Sequence, residues 1–125
     1  MKSHHSSIVV AVALLGLAAF GCGGDDDGPV NPGGSGPDVT ISILGDNGSN
    51  SYSPDPDTVT VGQTVAWRNN NGTAHTATSD AANAFGTGIV DPGTTSAKRA
   101  MNTTGTFTYH CTIHSGMTGT LVVRP

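Results

Sequence analysis

Apolar and polar residues alternate over short runs in the C-terminal two thirds of the chain, and this alternation is the strongest constraint on the fold. Five runs carry it, at residues 39–43, 59–61, 65–67, 107–111 and 121–123. A period of two places every second side chain on the same face of a strand, so each run predicts a half-buried β-strand. No stretch sustains a helical period. We therefore expect an all-β domain.

Turn-forming residues separate these runs. Glycine, proline, asparagine and aspartate are frequent at residues 45–56, 69–73 and 91–93, and threonine fills many outward-facing positions. Short strands joined by such turns are typical of an antiparallel β-sandwich. We predict seven to eight strands for residues 38–125, with at most one turn of helix at residues 80–84.

The N-terminal part of the chain has the layout of an export signal. Lys2 precedes an apolar run at residues 8–20 that is too short to span a bilayer comfortably, and Cys22 follows closely. The stretch LAAFGC, residues 17–22, resembles a bacterial lipoprotein signal, in which the cysteine becomes the lipidated first residue after cleavage. We predict a lipoprotein signal peptide at residues 1–21 and a lipidated Cys22. The alternative is an ordinary secretory signal with an incidental cysteine.

The residues after this signal have the composition of a spacer. In GGDDDGPVNPGGSGP, which begins at Gly23, the only large apolar residue is Val30. Such a segment buries too little apolar surface to offset the entropy lost on ordering, so residues 22–37 are predicted to form a flexible tether. The protein would then lie on the periplasmic or cell-surface side of a bacterial membrane, with its folded domain at residues 38–125.

The chain has two cysteines, Cys22 and Cys111. A lipidated Cys22 leaves Cys111 without a partner inside the chain, so we expect no disulfide. An immunoglobulin-like domain with cysteines on both sides of a buried tryptophan is disfavoured for the same reason, and we interpret Trp67 as core packing. Cys111 is therefore free for other chemistry.

The stretch YHCTIHSGM, residues 109–117, crowds three potential metal ligands together. The alternation points Cys111 inward at the end of a strand, and His114 and Met117 follow on the next loop. A fourth ligand must come from elsewhere, and His75 is the candidate because it follows the turn-rich NNNGTA at an end of the sandwich where loops gather. Thiolate, two imidazoles and a weak thioether match a mononuclear blue-copper electron-transfer site, whereas structural zinc has no use for methionine.

Other functions are less well supported by the residues. A cysteine nucleophile activated by a histidine is an alternative, but an inward thiol beside two further ligands is poorly placed for substrate attack. His110 faces away from Cys111 and is predicted not to be a ligand. Residues 38–125 carry six aspartates and four lysines and arginines, and no basic stripe suggests nucleic acid.

From about residue 57 to residue 123 the chain resembles a small cupredoxin of the plastocyanin and amicyanin type. The matching stretches are VGQTVAWRNNNGTAHT, GIVDPGTTSAK and GTFTYHCTIHSGMTGTLVV. The resemblance implies a Greek-key β-sandwich that binds one copper ion, cycling between Cu(I) and Cu(II). Its ligands would be His75, Cys111, His114 and Met117. Two residues separate each loop ligand from the next, which is similar to the short amicyanin loop.

The resemblance also assigns roles next to the ligands. It implies that His114 is the electron's exit route through a surface apolar patch, in which we place Ile113 and Gly116. Many of these proteins have asparagine directly after the first histidine, whereas this chain has Thr76. A hydroxyl can make fewer hydrogen bonds than a carboxamide, and we expect copper binding to survive this difference.

Taken together, the sequence predicts a membrane-tethered single-electron carrier, monomeric and not an enzyme, that acts between redox partner proteins. The alternative is a copper-holding or copper-delivery protein without a redox partner. Copper delivery usually relies on exposed methionine or histidine clusters, and beyond Met117 the mature chain would have only Met101. An oxidase or nitrite reductase would need further copper centres and hence more histidines.

Overall fold

The computed structural model describes residues 36–125. The predicted signal peptide, Cys22 and all but the last two residues of the predicted tether lie outside the described residues. Within residues 36–125, no helix has both the length and the apolar character needed to cross a membrane.

Eight strands and one short 3-10 helix build the described part of the chain, which confirms the all-β prediction. The strands are β1 (Val39–Ile43), β2 (Tyr52–Ser53), β3 (Asp57–Thr60), β4 (Thr64–Asn69), β5 (Thr78–Ser79), β6 (Arg99–Ala100), β7 (Gly105–His110) and β8 (Thr118–Arg124). The 3-10 helix, Gly48–Asn50, lies between β1 and β2. The helical turn expected at residues 80–84 is not formed. A tight turn replaces it, in which Ala84 N–H donates to Ala81 O and Asn83 has a φ of 60°.

The strands form two four-stranded sheets that face each other, with the orders β2-β1-β4-β6 and β3-β8-β7-β5. Both sheets are mixed, because β1 runs parallel to β4 and β3 runs parallel to β8. The expectation of a purely antiparallel sandwich was therefore wrong. Alternating hydrophobicity reports which face of a strand is buried, but it carries no information on the direction of the neighbouring strand.

The inward positions of the strands meet in one apolar core. Trp67 is fully buried, stacks on Phe85 with 5.2 Å between ring centroids and lies edge-on to Tyr109 at 5.8 Å, which confirms its role in packing. Gly119 on β8 faces Tyr109 so closely that a Cβ there would lie 2.5 Å from a carbon of the tyrosine ring. Glycine is therefore required at this position, and the aromatic residues can fill the space next to Cys111.

The strand directions give the sandwich two distinct ends. β1 and β4 both end at the pole that contains residues 69–76 and 89–91, and β7 ends and β8 begins at the same pole. We call it the ligand pole. The opposite pole contains residues 60–64, the short strand β6 and the C-terminal end of β8.

Candidate metal centre

Cys111 is the first residue after β7 and lies at the ligand pole, where it is almost fully buried. Its backbone N–H donates to Met117 O at 3.0 Å, which closes the loop between β7 and β8. Its Sγ accepts a hydrogen bond from Thr76 N–H at 3.3 Å. The thiol is therefore held from two sides, by its own loop and by the segment that follows His75.

Three of the four predicted ligands converge on one point. Cys111 Sγ lies 3.7 Å from His114 Nδ1 and 4.0 Å from His75 Nδ1, and one potential ligand atom from each residue lies within 4.8 Å of the others. The centroids of the two imidazole rings are 4.8 Å apart, with 50° between the ring planes. Both histidines thus turn a ring nitrogen, in each case Nδ1, towards the thiol, as ligands of one metal ion would.

Met117 ends the same loop and is fully buried in the core cluster. Its carbonyl oxygen accepts the Cys111 N–H described above, so its backbone is fixed relative to the thiol. The side chain therefore belongs to the interior of the ligand pole rather than to the surface. That its thioether is the fourth, axial ligand stays a prediction from the sequence.

The backbone of His75 forms an antiparallel bridge with Val90: His75 N–H donates to Val90 O at 3.2 Å, and Val90 N–H donates to His75 O at 2.8 Å. The other ring nitrogen, Nε2, lies 3.0 Å from Asn71 Oδ1 and 3.1 Å from Thr73 Oγ1. Because the Asn71 oxygen can only accept, Nε2 carries the proton, and the Nδ1 lone pair is available to a metal.

Sequence reasoning missed Asn71 and Thr73, which it treated as part of a turn. The signal that could have found them is the pair of short polar side chains two and four residues before a candidate histidine ligand. A ligand histidine needs a partner for its second nitrogen, and a preceding turn can return a polar side chain to that ring.

Thr76 connects the two ligand-bearing segments. Its Oγ1 accepts the Thr112 N–H at 2.8 Å and lies 3.2 Å from Thr112 Oγ1. Thr78 Oγ1 donates to the same oxygen at 3.3 Å, and Tyr52 Oη donates to Thr76 O. Although a hydroxyl offers fewer hydrogen bonds than a carboxamide, here it reaches the residue directly after Cys111 and ties the two segments together.

The electrostatics favour the protonation states that a metal needs. Burial, reinforced by the positive charge that His114 would carry, lowers the pKa of His75, although Asp46 opposes the change. Burial raises the pKa of Cys111, but hydrogen bonds led by those from the N–H groups of Thr76 and Ile113 outweigh it, so the net pKa is lowered. A neutral imidazole and a thiolate are the metal-binding forms of these side chains.

The loop that carries His114 forms the surface of the ligand pole. His114 is half-buried, whereas Ile113 on the same loop is 48% exposed and Gly116 is exposed. Ile89, which precedes the Val90 that bridges to His75, is 69% exposed. Ile113 and the partly accessible His114 thus lie at the surface of the ligand pole, and the electron exit route stays a prediction.

The donor set fits copper on chemical grounds. One thiol with a lowered pKa and two imidazoles that present Nδ1 supply the soft and intermediate ligands of a mononuclear copper site. A structural zinc site usually has four cysteine or histidine ligands, and the described residues bring three such side chains together in a cluster.

Solved structures with the same fold include several copper proteins. A purple cupredoxin from Nitrosopumilus maritimus has a TM-score of 0.58 and 25% identity, over 69% of this chain and 99% of that one. A reduced Cu(I) form of an amicyanin variant has a TM-score of 0.56 and 24% identity, over 69% and 81%. A copper-containing nitrite reductase from Thermus scotoductus has a TM-score of 0.61 and 24% identity, over 78% of this chain but 25% of the enzyme. The last two likenesses are of fold.

Sequence comparison gives the family itself. A plastocyanin from Scenedesmus fuscus is 33% identical over 99 residues, which cover 70% of this chain and 100% of the relative. The model of the copper binding proteins of the plastocyanin/azurin family matches residues 39–124, which include the four predicted ligands. With the cupredoxin sandwich and the convergence of His75, Cys111 and His114, these matches establish that the chain belongs to the plastocyanin/azurin family of copper binding proteins.

Proposed function

We propose that this copper protein carries single electrons between redox partner proteins. Bound at this centre, copper supplies a one-electron change between Cu(II) and Cu(I). The observation that carries the proposal is the convergence of a buried thiol with one buried and one partly exposed imidazole. A donor set buried on one side and accessible on the other suits an ion that exchanges electrons and not ligands.

Hydrogen bonds hold the residues of the centre in place. The Val90 bridge and the Asn71 contact fix His75, and Thr76 fixes the thiol and the start of the loop. Since Cu(I) and Cu(II) prefer different coordination, ligands that move little on oxidation lower the reorganisation of each step. This support from hydrogen bonds is the contribution of the chain to electron transfer.

A carrier fits the described residues better than an enzyme. They bring together one cluster of metal-ligating side chains at the ligand pole. An oxidase or a nitrite reductase would need further copper centres and the ligands to hold them. We therefore propose that the partners are other redox proteins, which the monomeric domain meets at the Ile113 and His114 surface.

Copper delivery is the weaker alternative. A delivery protein has to hand its ion to an acceptor, which exposed methionine or histidine clusters make possible. Met101 and Met117, the two methionines of the described residues, are both buried. A buried thioether cannot reach an acceptor protein without opening the fold.

The anchoring part of the proposal rests on the sequence. We propose that the chain is exported, that its Cys22 is lipidated, and that the domain stays tethered on the periplasmic or cell-surface side of a bacterial membrane. The apolar run at residues 8–20 and the position of Cys22 directly after LAAFG support this. Phase partitioning in detergent tests it: the wild type should follow the detergent, and Cys22→Ala should be released or fail to mature.

The spectrum of the copper-loaded full chain tests the centre. Oxidised protein should show an intense visible thiolate-to-copper band, and one electron equivalent per chain should bleach it. Cys111→Ser should lose the band, whereas Cys22→Ser, the matched cysteine replacement outside the centre, should keep it. A coloured Cys111→Ser protein would contradict the proposal, and rapid loss of copper to a chelator on reduction would favour delivery.

A further inference from the structure

The pole opposite the ligands ends in the turn at residues 61–62, between β3 and β4. Val61 N–H donates to Arg124 O at 2.7 Å, and Gly62 N–H donates to Met101 O at 2.8 Å. The turn is therefore held by backbone bonds to β8 on one side and to the residue after β6 on the other. It projects from this end of the sandwich as a supported tip.

Three exposed cations lie at or near this end of the sandwich. Lys98 and Arg99 lie at β6, where Arg99 pairs with Val65, and Arg124 ends β8, where it pairs with Thr60. They are three of the four cations in residues 38–125. We call Val61, Lys98, Arg99 and Arg124 the cationic pole.

One carboxylate side chain lies at this pole and is already engaged. Asp38 Oδ2 accepts the Thr64 N–H and the Thr64 hydroxyl, both at 2.7 Å. Hydrogen bonds from Thr64, and after them the positive charge of Lys98, lower the pKa of Asp38. The Asp38 carboxylate therefore partly offsets one cation of the pole. Three cations against this one carboxylate leave the side chains of the pole with a net positive charge.

The tip itself is apolar. Val61 is 40% exposed, and the cations lie on both sides of it. An exposed apolar side chain enters the boundary between lipid headgroups and acyl chains, while neighbouring lysine and arginine stay with the phosphates. Each such cation near an anionic leaflet adds an attraction that falls off within a Debye length.

Two exposed carboxylates lie at the ligand pole, where Arg68, directly before Asn69 on β4, is the neighbouring cation. Asp46 is exposed and acts on His75, and Asp91 is exposed directly after the Val90 that bridges to His75. An anionic surface would repel this end and attract the other. The fold therefore separates the charges of a chain that is only weakly acidic overall.

The described chain begins at the cationic pole. Asp38 N–H donates to Thr64 O at 3.0 Å, which places the start of β1 beside the 61–62 turn. In the sequence, Cys22 precedes Gly36 by fourteen residues, a stretch that reaches at most about 50 Å when fully extended. Within that reach, surface charge would favour some orientations of the domain over others.

We propose that the cationic pole docks on anionic lipid headgroups, so that the anchored domain holds its copper centre away from the membrane. The inference rests on the proposed lipid anchor at Cys22. It gives the anchor a consequence for electron transfer, because a docked cationic pole leaves the His114 loop facing outward, where soluble partner proteins can reach it.

Nuclear magnetic resonance of the full chain tests the docking directly. The reduced, copper-loaded lipoprotein would be placed in nanodiscs that carry a gadolinium-chelating headgroup lipid. In discs of phosphatidylcholine and phosphatidylglycerol in equal parts, the amide signals of Val61, Arg99 and Arg124 should broaden strongly. The amide signals of Ile113 and Gly116 should stay sharp. In discs of pure phosphatidylcholine, the difference in broadening between these two groups of signals should be smaller.

Charge reversal supplies the matched control. Arg124→Glu should lower the docked population about fivefold or more, since it removes one cation's attraction and adds a repulsion. Arg68→Glu makes the same charge change on β4, where Arg68 faces Thr95 away from the tip, and should leave the docking nearly unchanged. Retention of the blue copper band in both variants shows that they are folded.

Four outcomes would overturn the docking. The first is stronger broadening of the amide signals at residues 113–116 than at the cationic pole, and the second is equal broadening in both lipid mixtures. The third is an equal decrease of the docked population in Arg124→Glu and Arg68→Glu. The fourth is a change in the amide signals of the cationic pole that depends on protein concentration when no discs are present. The last would indicate contact between copies of the chain. A wild-type protein that fails to join discs at all would remove the anchor and this inference together, while the blue copper band would still report the electron carrier.

Discussion

Two segments bring ligands to the copper centre, and they differ in burial and in bonding. His75 is fully buried, its backbone is bridged to Val90 and its ring is held by Asn71. The loop at residues 111–117 is mostly exposed between its buried ends, and His114 in its middle is half-buried. The first segment acts as a fixed wall of the centre, and the second provides its access to solvent and partners.

Direct contacts join the two segments, and the residues that flank them in the chain, at two depths. Close to the thiol, Thr76 accepts the Thr112 N–H. Farther out, His110 and Asp80 form an exposed side-chain pair between the end of β7 and the residue after β5. If burial explains the difference between the segments, removing contacts from the inside outward should have progressively smaller effects.

The largest effect is expected from removing a ligand ring on each side. His75→Gly should lower the free energy of unfolding of the apoprotein by about 3 kcal/mol, because it opens a cavity in a packed site. His114→Gly should cost less than about 1 kcal/mol, since its ring is partly solvated. Denaturant titration measures both values.

Added imidazole sharpens the same comparison. The gap left in His114→Gly opens to solvent, so external imidazole should restore the visible band of the copper-loaded protein. His75→Gly should stay colourless, because its gap is enclosed. Equal rescue of the two variants would show that the two segments are equally accessible and that the comparison is wrong.

The next largest effect is expected at the partner of the His75 ring. Asn71→Ala removes the acceptor of Nε2–H, and the freed ring should lower copper affinity about 10- to 100-fold. Asn70→Ala is the matched control, since the Asn70 side chain is exposed and its backbone bond to Ile43 O is kept. Competition with a copper chelator measures both affinities. Similar losses in the two variants would remove Asn71 from the centre.

Breaking the inner connection should have a moderate effect. Thr76→Val keeps the shape of the side chain but leaves the Thr112 N–H without its acceptor, which should lower stability by about 1–2 kcal/mol. Thr112→Val removes only the contact between hydroxyls and should cost less. Electron self-exchange should slow in Thr76→Val, because the loop is less constrained. Unchanged exchange would limit Thr76 to a role in stability.

The smallest effect is expected at the outer pair. Hydrogen bonds from Thr108 and His110 hold the pKa of Asp80 below its ordinary value. A lowered carboxyl pKa contributes stability that is present above the unfolded-state pKa and is lost as pH falls through the folded-state pKa. The side chains of His110 and Asp80 are both more than 40% exposed. Asp80→Asn should therefore lower the free energy of unfolding by less than about 0.5 kcal/mol.

The pH dependence makes this small effect testable. The wild type should be slightly more stable than Asp80→Asn at neutral pH, and the two unfolding curves should converge in acid below the ordinary aspartate range. A difference that persists in acid would assign the effect to packing and not to the charge of Asp80.

Much of the fold could be predicted from the sequence, and there are physical reasons why the remaining parts could not. The alternation located β1, β3, β4, β7 and β8, which are four to seven residues long, although Val61 lies in the turn after β3. The two-residue strands β2, β5 and β6 are too short to show a period. Tyr52 on β2, fully enclosed in the core, was therefore assigned to a turn-rich connection.

The sequence by itself determined what depends on spacing over a few residues. An inward Cys111 at a strand end, followed at intervals of three by His114 and Met117, is a local pattern, and so is the period of each long strand. Such features can be read directly because backbone geometry relates neighbouring residues in a fixed way.

Only the tertiary structure decided what depends on pairing between distant segments. It placed His75, 36 residues before Cys111, within 4.0 Å of the thiol, and it gave Thr76 a contact with Thr112. It also set the strand pairs that put Arg99 and Arg124 at the pole opposite the copper centre. These relations follow from how whole faces bury against each other, which local periodicity does not encode.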